Sequence, residues 1–518
     1  MKRRQFLRRA SVLSLPALLG AGKLSALTAP FFASAMNEDD RVLILLQLSG
    51  GNDGLNTLIP LDQYAGLSAT RSDLLIPESQ VLTLDDTRGF HPAMGGMRDL
   101  FDAGKLAVIQ GVGYPSQNRS HFRSTDIWNT ASDADEVITT GWLGRHLDER
   151  FPGFPDGYPT AEEPSPFAIV MGTAVSETCQ GGSANFSIAL NDVENVGQIP
   201  DFGGVADPST PYGRELAWLR ETIGQSNAYA AGIEEAVNAG STLADYPEDN
   251  EVARKLRDVA RLISGGLKTK IYIVELGGFD THANQTSAND PTVGEHATLL
   301  QTLSDAVAAF QTDLDQLGIS ERVMGMTYSE FGRRIRSNGS QGTDHGDAAP
   351  LFLFGGCVAG GITGDNPEID AGVDINEGVA MQYDFRNVYG SVLMDWFGVG
   401  MATVQSLLLD DFEYVPVLSN CRSTSTTDTN FPLRAVDLSV APNPFGSSFE
   451  VTFTTGSERA RVSLFDAMGR RLRVVTDQRF TAGEHRITIE AGNLPAGPYF
   501  VHLMLAGGVR RTKRVVKG

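Results

Sequence analysis

Residues 42–54 read VLILLQLSGGNDG, an apolar run that ends abruptly in a polar, glycine-rich loop. The run Val42–Leu48 is almost continuously apolar, which is typical of a strand buried on both faces of a parallel sheet. The loop after it contains Asp53, at the carboxyl end of the strand, where open α/β sheets carry their functional groups. This stretch therefore predicts a central strand with a polar site at its end.

The same pattern recurs through residues 36–420, with helical periodicity between the apolar runs. Four more strands are predicted, at Leu106–Gln110, Lys270–Leu276, Val323–Thr327 and Leu351–Phe354. Helices are predicted at His91–Ala103, Asn250–Ile263 and Glu295–Leu317. Alternating strands and helices predict an α/β fold, with a mostly parallel sheet flanked by helices.

Polar clusters follow four of these strands. They contain Asp53, then Arg119-Ser120-His121, then Asp280 and His282, and finally Glu330 through Asp344-His345. Carboxylates and imidazoles that meet at one edge can bind a divalent cation such as zinc or manganese. Ser120, at a predicted helix start, would suit a nucleophile because the backbone amides there favour an anion. Arg119 beside it could clamp an ester oxygen.

Each cluster also has a purely structural interpretation, and these alternatives stay open. The loop with Asp53 could be a tight turn, and Ser120 could simply cap its helix. Asp280 and His282 could form a capped turn with an exposed imidazole. Glu330 could pair with Arg333-Arg334 on the surface.

The charge is unevenly distributed along the 518 residues. The net charge is −21, yet residues 1–35 contain six basic groups and no acid, and residues 434–518 contain 13 basic and 7 acidic residues. The stretch between is thus strongly acidic and would repel nucleic acid, so we expect no nucleic-acid partner.

The sequence contains three cysteines, Cys179, Cys357 and Cys421. Their odd number and wide spacing predict buried free thiols, with one disulfide as the alternative.

The N-terminus predicts export. Residues 1–22 read MKRRQFLRRASVLSLPALLGAG, and Ala33-Ser34-Ala35 offers a small-residue cleavage site. Arg3-Arg4 with the apolar run resembles a twin-arginine signal peptide, here residues 1–35, which implies the twin-arginine translocase as a partner. The run is too short for a membrane span, so no transmembrane anchor is expected in the mature chain. A basic amphipathic helix is the alternative.

The C-terminal segment predicts a separate β unit. A Ser/Thr-rich linker is expected at 421–435, and short alternating strands at 436–518 predict a small β-sandwich. The segment resembles a type A sorting domain of the type IX secretion system in APNPF (Ala441–Phe445), LFDAMGR (Leu464–Arg470), NLPAGPYF (Asn493–Phe500) and KRVVK (Lys513–Lys517). The resemblance implies the type IX outer-membrane machinery as a partner and a secreted or cell-surface protein that passes through the periplasm. A fibronectin-like adhesion module is the alternative.

The body resembles domain-of-unknown-function family 1501. The resemblance is carried by LSGGNDGLN (Leu48–Asn56), NRSHF (Asn118–Phe122), GGFDTH (Gly277–His282), SEFGRR (Ser329–Arg334), GTDHG (Gly342–Gly346) and DFRNVY (Asp384–Tyr389). That family resembles the alkaline-phosphatase and sulfatase superfamily, so residues 36–420 are expected to form an alkaline-phosphatase-like domain.

The resemblance implies site roles. Asp53, Asp344 and His345 would hold one metal, Asp280 and His282 another, with Ser120 as nucleophile. The cofactor implied is a divalent metal such as zinc, manganese or calcium. Asp280 and His282 lie closer in sequence than the pattern requires, and no further histidine follows His345 in the body, so the second site would be incomplete, completed by His296 or His121, or absent. The expected function is hydrolysis of phosphate or sulfate esters; the alternatives are an inactive surface binding protein and a structural adhesin.

Overall fold

The structure is a computed structural model that describes residues 40–196, 207, 209–409, 411–418, 438–455, 459–465, 471–481, 483–492, 494–505 and 510–518. The chain divides into two compact units between Ser425 and Thr426. The predicted signal peptide (1–35) and linker (421–435) lie outside the described residues. Each unit is described by itself.

A nine-stranded sheet forms the centre of the first unit. Its strands are β1 (Val42–Ser49), β5 (Leu106–Gly113), β6 (Ala168–Val170), β7 (Ser187–Ala189), β8 (Ile271–Gly277), β9 (Val323–Tyr328), β10 (Ala349–Gly355), β11 (Gly361–Thr363) and β12 (Tyr383–Asp384). A separate small sheet contains β2 (Leu58–Pro60), β3 (Leu82–Asp85) and β4 (Arg88–Phe90).

The order of the large sheet is β11-β5-β10-β9-β1-β8-β6-β7, with β12 paired to β5. Strand β1 runs parallel to β8 and β9 on its two sides, and β10 runs antiparallel to β5 and β9. The prediction of a mostly parallel sheet is confirmed, although the run at Leu351–Phe354 forms the antiparallel strand. Because β1, β5, β8 and β9 all point the same way, their carboxyl ends lie at one edge.

Side chains of β1 alternate between two hydrophobic cores, one on each face of the sheet. Ile44 and Leu46 join the core on one face, whereas Leu43 and Leu45 join the core on the other. All four are at most 1% exposed, because successive side chains of a strand point to opposite faces and both faces are covered. The continuous apolar run is thereby explained.

Helices cover both faces, as in a three-layer α/β domain. The helices of the first unit are α1 (Gly54–Thr57), α2 (Tyr64–Thr70), α3 (Gly95–Asp102), α4 (His121–Thr130), α5 (Trp142–Arg150), α6 (Pro211–Ala239), α7 (Glu251–Ser264), α8 (Glu295–Gln316), α9 (Phe385–Phe397) and α10 (Met401–Leu407). Residues of α3, α7 and α8 pack into the core that contains Ile44, and residues of α4, α5 and α9 pack into the core that contains Leu43.

The second unit contains two antiparallel sheets around its own core. The strands are β13 (Leu438–Ala441), β14 (Ser448–Thr455), β15 (Arg459–Phe465), β16 (Arg471–Arg479), β17 (Gly483–Glu490), β18 (Gly497–Leu505) and β19 (Arg510–Lys517). Their orders are β13-β14-β17 and β16-β15-β18-β19. The buried side chains of both sheets, Val451 and Val501 among them, form one cluster, which confirms the predicted β-sandwich.

Two of the cysteines have different states. Cys179 is free and buried, and burial raises the pKa of its thiol to about 12. Cys357 is disulfide-bonded, so the interpretation as a free thiol is wrong for this residue. A disulfide is typical of oxidising compartments.

Among the described residues, no helix combines the length and the apolarity that crossing a membrane requires.

Candidate metal centre at the carboxyl edge of the sheet

The loop after β1 approaches the loops after β8 and β9 at the carboxyl edge of the sheet because two of its residues are glycines. Gly50 has a φ of 123°, and a Cβ at this position would lie 2.3 Å from the backbone nitrogen of Asp280. Gly51 has a φ of 85°, and its Cβ would lie 2.4 Å from the ring of Phe331. Only glycine tolerates both the left-handed backbone and the lack of space.

Three imidazoles converge on the carboxylate of Asp280. The Nε2 atoms of His345 and His282 lie 3.0 Å and 3.3 Å from Asp280 Oδ1, and 2.9 Å from each other. The Nε2 atom of His121 lies 3.4 Å from Asp280 Oδ2. One ligand atom each from His121, Asp280 and His345 lies within 4.8 Å of the others, and His282 adjoins two members of this trio. Four side chains from three loops thus form one cluster.

An oxygen atom holds the Nδ1 atom of each imidazole. The partner of His121 Nδ1 is Glu330 Oε1 at 2.8 Å, and the partner of His345 Nδ1 is the carbonyl oxygen of Arg119 at 2.8 Å. Asp344 Oδ1 lies 3.3 Å from His282 Nδ1. This is the arrangement that orients histidines for a metal, with Nδ1–H donated to an oxygen and Nε2 left to coordinate.

The cluster contains acceptors that lack a donor. A carbonyl and two carboxylates can only accept, so each neutral imidazole carries its proton on Nδ1 and a lone pair on Nε2. The lone pairs of His282 and His345 then face each other and the Asp280 carboxylate, and His121 Nε2 has no hydrogen-bond partner among the described residues. Imidazole nitrogens with a carboxylate are the donor set that zinc and related divalent cations prefer, so the residues fit such a metal.

A buried arginine joins the loops beneath the cluster. The guanidinium of Arg333, at 1% exposure, donates to Asp280 Oδ1 at 2.8 Å and to the carbonyl oxygens of Gly51, Thr343 and Phe279 at 2.7 to 2.8 Å. Partial burial raises the pKa of Asp280, but the hydrogen bond and the positive charge of Arg333 outweigh it, and the pKa lies at about 2. Asp280 is therefore an anion at neutral pH, and its side chain is 46% exposed.

The structure brings Asp280, His282 and His345 into one cluster and places Asp344 behind His282, whereas the resemblance assigned His345 to one metal and Asp280 with His282 to another. Asp344 also accepts from Arg334 Nη1 at 3.0 Å. Burial lowers the pKa of His345, so its imidazole is neutral and its Nε2 lone pair is available at neutral pH.

Asp53 is not brought into this cluster. It is 1% exposed, Arg71 Nη1 donates to both of its oxygens at 3.0 and 2.8 Å, and Gln285 donates to Oδ2 at 2.5 Å. Burial raises the pKa of Asp53, but the charge and hydrogen bonds of Arg71 outweigh burial, so the pKa lies below its ordinary value. Asp53 also caps α1 by accepting from the backbone of Leu55. Its carboxylate is thus already neutralised by a buried ion pair.

Arg119 and Ser120 have contrasting surroundings. Arg119 donates hydrogen bonds from Nε and Nη2 to Asp347 at 2.9 and 2.7 Å, and from Nη1 to the carbonyl of Asn376 at 2.7 Å. All three nitrogens of its guanidinium group therefore already have acceptors. Ser120 stands at the N-cap position of α4, yet its side chain makes no capping hydrogen bond and is exposed. The interpretation of its hydroxyl as a simple cap is therefore wrong.

Sequence reasoning missed the roles of Glu330 and Arg333. The alternative of a surface ion pair is wrong, because both residues are 1% exposed, and Glu330 holds His121 while Arg333 holds Asp280. The position of Glu330 in the sequence already indicated this role, because it is the second residue after the buried strand β9. His296 lies elsewhere, with Nε2 3.0 Å from Asn52 Oδ1, so among the candidate histidines it is His121 that joins the cluster.

A cleft of about 1140 Å³ opens beside the cluster. Its walls come from α4, from the start of α7 and from the loop after β6 at residues 170–177, and Asp280, His121 and Glu330 line it. A small molecule that enters this cleft can therefore reach two of the candidate metal ligands.

The chain thus combines a three-layer α/β domain, which has an Asp/His cluster at the carboxyl edge of its sheet, with a small antiparallel β unit. Residues 241–389 match the family model "Protein of unknown function (DUF1501)" and residues 439–517 match "Secretion system C-terminal sorting domain". Both resemblances predicted from the motifs are thereby confirmed. The sorting domain indicates a secreted or cell-surface protein that uses the type IX secretion machinery.

No curated protein matches the chain. Similar solved structures include a protein in the alkaline phosphatase superfamily from Vibrio parahaemolyticus, 9% identical over 99% of this chain and 91% of that chain, with a TM-score of 0.33. Another is a phosphonate monoester hydrolase from Silicibacter pomeroyi, 9% identical over 92% of this chain and 88% of that chain, with a TM-score of 0.31. A DUF3244 family protein with an immunoglobulin-like β-sandwich from Bacteroides vulgatus is 19% identical over 16% of this chain and 96% of that chain, with a TM-score of 0.13. These likenesses identify no activity for this chain.

Proposed function

We propose that the α/β domain is a metal-dependent hydrolase of phosphate or sulfate esters that is exported to the cell surface or the medium. His121, Asp280, His282 and His345 hold one divalent cation, and Ser120 is the nucleophile. The observation that carries the proposal is the convergence of three Nε2 atoms on one carboxylate, with each Nδ1 fixed by an oxygen. A divalent cation would bind these acceptors together, because imidazole nitrogens and a carboxylate are ligands that it prefers.

The position of Ser120 suits attack on an ester. Its exposed side chain precedes His121 at the amino end of the ten-residue helix α4, where backbone amides favour negative charge. A cation in the neighbouring cluster would neutralise charge on the ester oxygens. Ser120 Oγ forms a bond to phosphorus or sulfur as its proton passes to solvent, and the bond to the leaving alcohol breaks as that alcohol takes up a proton. Water then cleaves the seryl ester, releases phosphate or sulfate, and restores Ser120.

A specific observation favours a second candidate, a surface binding protein without turnover. Two residues for which the sequence predicts chemistry are occupied: Asp53, to which the resemblance assigns a metal, is paired with Arg71, and Arg119, the predicted ester clamp, is paired with Asp347. An ester clamp and a second metal would both need these groups to be free. The binding candidate keeps one metal centre and lacks catalysis.

The experiment that separates the two is elemental analysis of the purified full chain with a screen of aryl phosphate and sulfate esters in added zinc or manganese. The hydrolase proposal expects about one metal per chain and turnover that Ser120→Ala removes. Ser79→Ala, which changes an exposed serine of the same unit, is the matched control. Bound metal with no turnover favours the binding candidate, and full activity of Ser120→Ala eliminates this nucleophile.

A further inference from the structure

The cleft beside the metal cluster carries an excess of negative charge. Six carboxylates are among its described lining residues: Asp126, Glu177, Glu251, Glu275, Asp280 and Glu330. Lys255 is the one lysine among them, and its ammonium lies 2.9 Å from Glu251. Arg123 pairs with Asp126 and Arg333 with Asp280 from outside the lining. The other three carboxylates, Glu177, Glu275 and Glu330, have no lysine or arginine partner among the described residues. A wall of this kind disfavours substrates with several negative charges, because their binding relies on arginine and lysine.

One of these carboxylates is buried and half-satisfied. Glu330 is 1% exposed, and its Oε1 accepts from the backbone of Gly50 at 2.9 Å in addition to its contact with His121. Its Oε2 is buried with no hydrogen-bond partner among the described residues. An unpaired buried carboxylate oxygen is costly, and a donor that carries positive charge would relieve that cost most effectively.

Apolar surface lies along the same cleft. Phe122 is 92% exposed and Val175 is 52% exposed, and both line the cleft. An exposed aromatic ring beside carboxylates is a combination that attracts organic cations, since the ring face and the carboxylates both favour positive charge. Glu177 and Glu275 are also exposed in this cleft, so a ligand can reach them.

From these three observations we infer that the cleft selects an ester with one negative charge on its phosphate or sulfate group and an ammonium group in the attached alcohol. The inference rests on the proposed function, because the ester end is taken to face the metal cluster. The ammonium end lies in the carboxylate-lined cleft, where Glu177, Glu275 and Glu330 attract it and Phe122 covers its carbon chain.

The test is calorimetric binding of two matched ligands, 2-aminoethyl sulfate and ethyl sulfate, to the zinc-loaded full chain. The two differ by one ammonium group. We expect the ammonium ester to bind about tenfold more tightly at low salt, and the ratio to shrink in about 0.5 M salt as screening weakens the attraction. The double variant Glu177→Gln/Glu275→Gln should reduce the ratio towards one by weakening the binding of 2-aminoethyl sulfate, and the affinity for ethyl sulfate should not fall.

The control is Glu78→Gln/Glu368→Gln, which removes two exposed carboxylates outside the cleft and should preserve the ratio. Equal affinities for the two ligands, a ratio that the cleft variant leaves unchanged, or no binding of either ligand would overturn the inference. Failure of the proposed function appears separately, as absence of turnover or of metal, because the affinity ratio requires no hydrolysis.

Discussion

At the scale of single residues, the centre depends on which atom each histidine presents. Glu330 and the carbonyl of Arg119 hold two Nδ1 atoms, so the opposite nitrogens face Asp280. Orientation of this kind comes from groups that do not coordinate the metal themselves. Glu330 is a positioning residue in this sense, because it acts through His121.

Replacement Glu330→Gln tests that role. The amide removes a negative charge and can turn its NH₂ group towards His121 Nδ1, which would leave the proton on Nε2. We expect zinc affinity to fall by about 10- to 100-fold, measured by competition with a chromophoric chelator. Glu368→Gln should leave zinc affinity unchanged. Unchanged affinity in Glu330→Gln would show that His121 does not need this carboxylate.

Buried histidines predict how stability depends on pH. Burial lowers the pKa of His91 to about 3 and that of His296 to about 4, from an ordinary value of 6.5. Both groups are neutral when folded and take up protons when unfolded, so stability is fully present above pH 6.5 and falls as the pH drops towards 4. The temperature at which half of the α/β unit is unfolded should therefore decrease when the pH is lowered from about 7 to about 5. A midpoint that stays constant over this interval would contradict the assignment.

At the scale of elements, the strands and the edge of the sheet could be predicted, because strand burial and loop polarity are local properties of the sequence. Runs such as Val42–Leu48 reveal a central strand directly. The pairing of Asp53 with Arg71 could not be predicted, since it depends on how α2 packs beside the loop after β1. The burial of Arg333 could not be predicted for a similar reason: apart from Asp280, its acceptors are backbone carbonyls, which carry no sequence signal.

The approach of the loops after β1 and β8 yields an element-scale prediction. In Gly50→Ala, the new methyl group would meet the backbone of Asp280 and push the two loops apart. We expect loss of zinc affinity together with reduced stability, measured by chelator competition and by denaturant unfolding. Gly104→Ala is the matched control, because Gly104 also has a positive φ, of 70°, but a methyl group there would meet no neighbouring atom within 4 Å. Equal zinc affinity in the two variants would contradict the proposed approach.

At the scale of the whole molecule, the two ends of the chain predict a route. The sorting domain at residues 439–517 indicates the cell surface or the medium. The twin-arginine signal remains a prediction, because residues 1–35 lie outside the described part of the chain. Export through that route would carry the α/β domain across the inner membrane already folded, with its disulfide formed afterwards.

Substitution Arg3→Lys/Arg4→Lys should therefore keep the precursor in the cytoplasm, whereas removal of residues 439–517 should leave the protein in the periplasm. Cell fractionation with immunoblotting distinguishes these outcomes. Substitution Arg8→Lys/Arg9→Lys is the control for general loss of arginine in the same segment. Normal export of the Arg3→Lys/Arg4→Lys protein would exclude the twin-arginine route.

The central claim is that one divalent cation is bound by the three imidazoles and Asp280. The most direct measurement is anomalous diffraction at the zinc edge from crystals of the zinc-loaded protein. We expect one strong peak within coordination distance of the Nε2 atoms of His121, His282 and His345 and of the Asp280 carboxylate. Absence of a peak there, or a peak beside Asp53 instead, would contradict it.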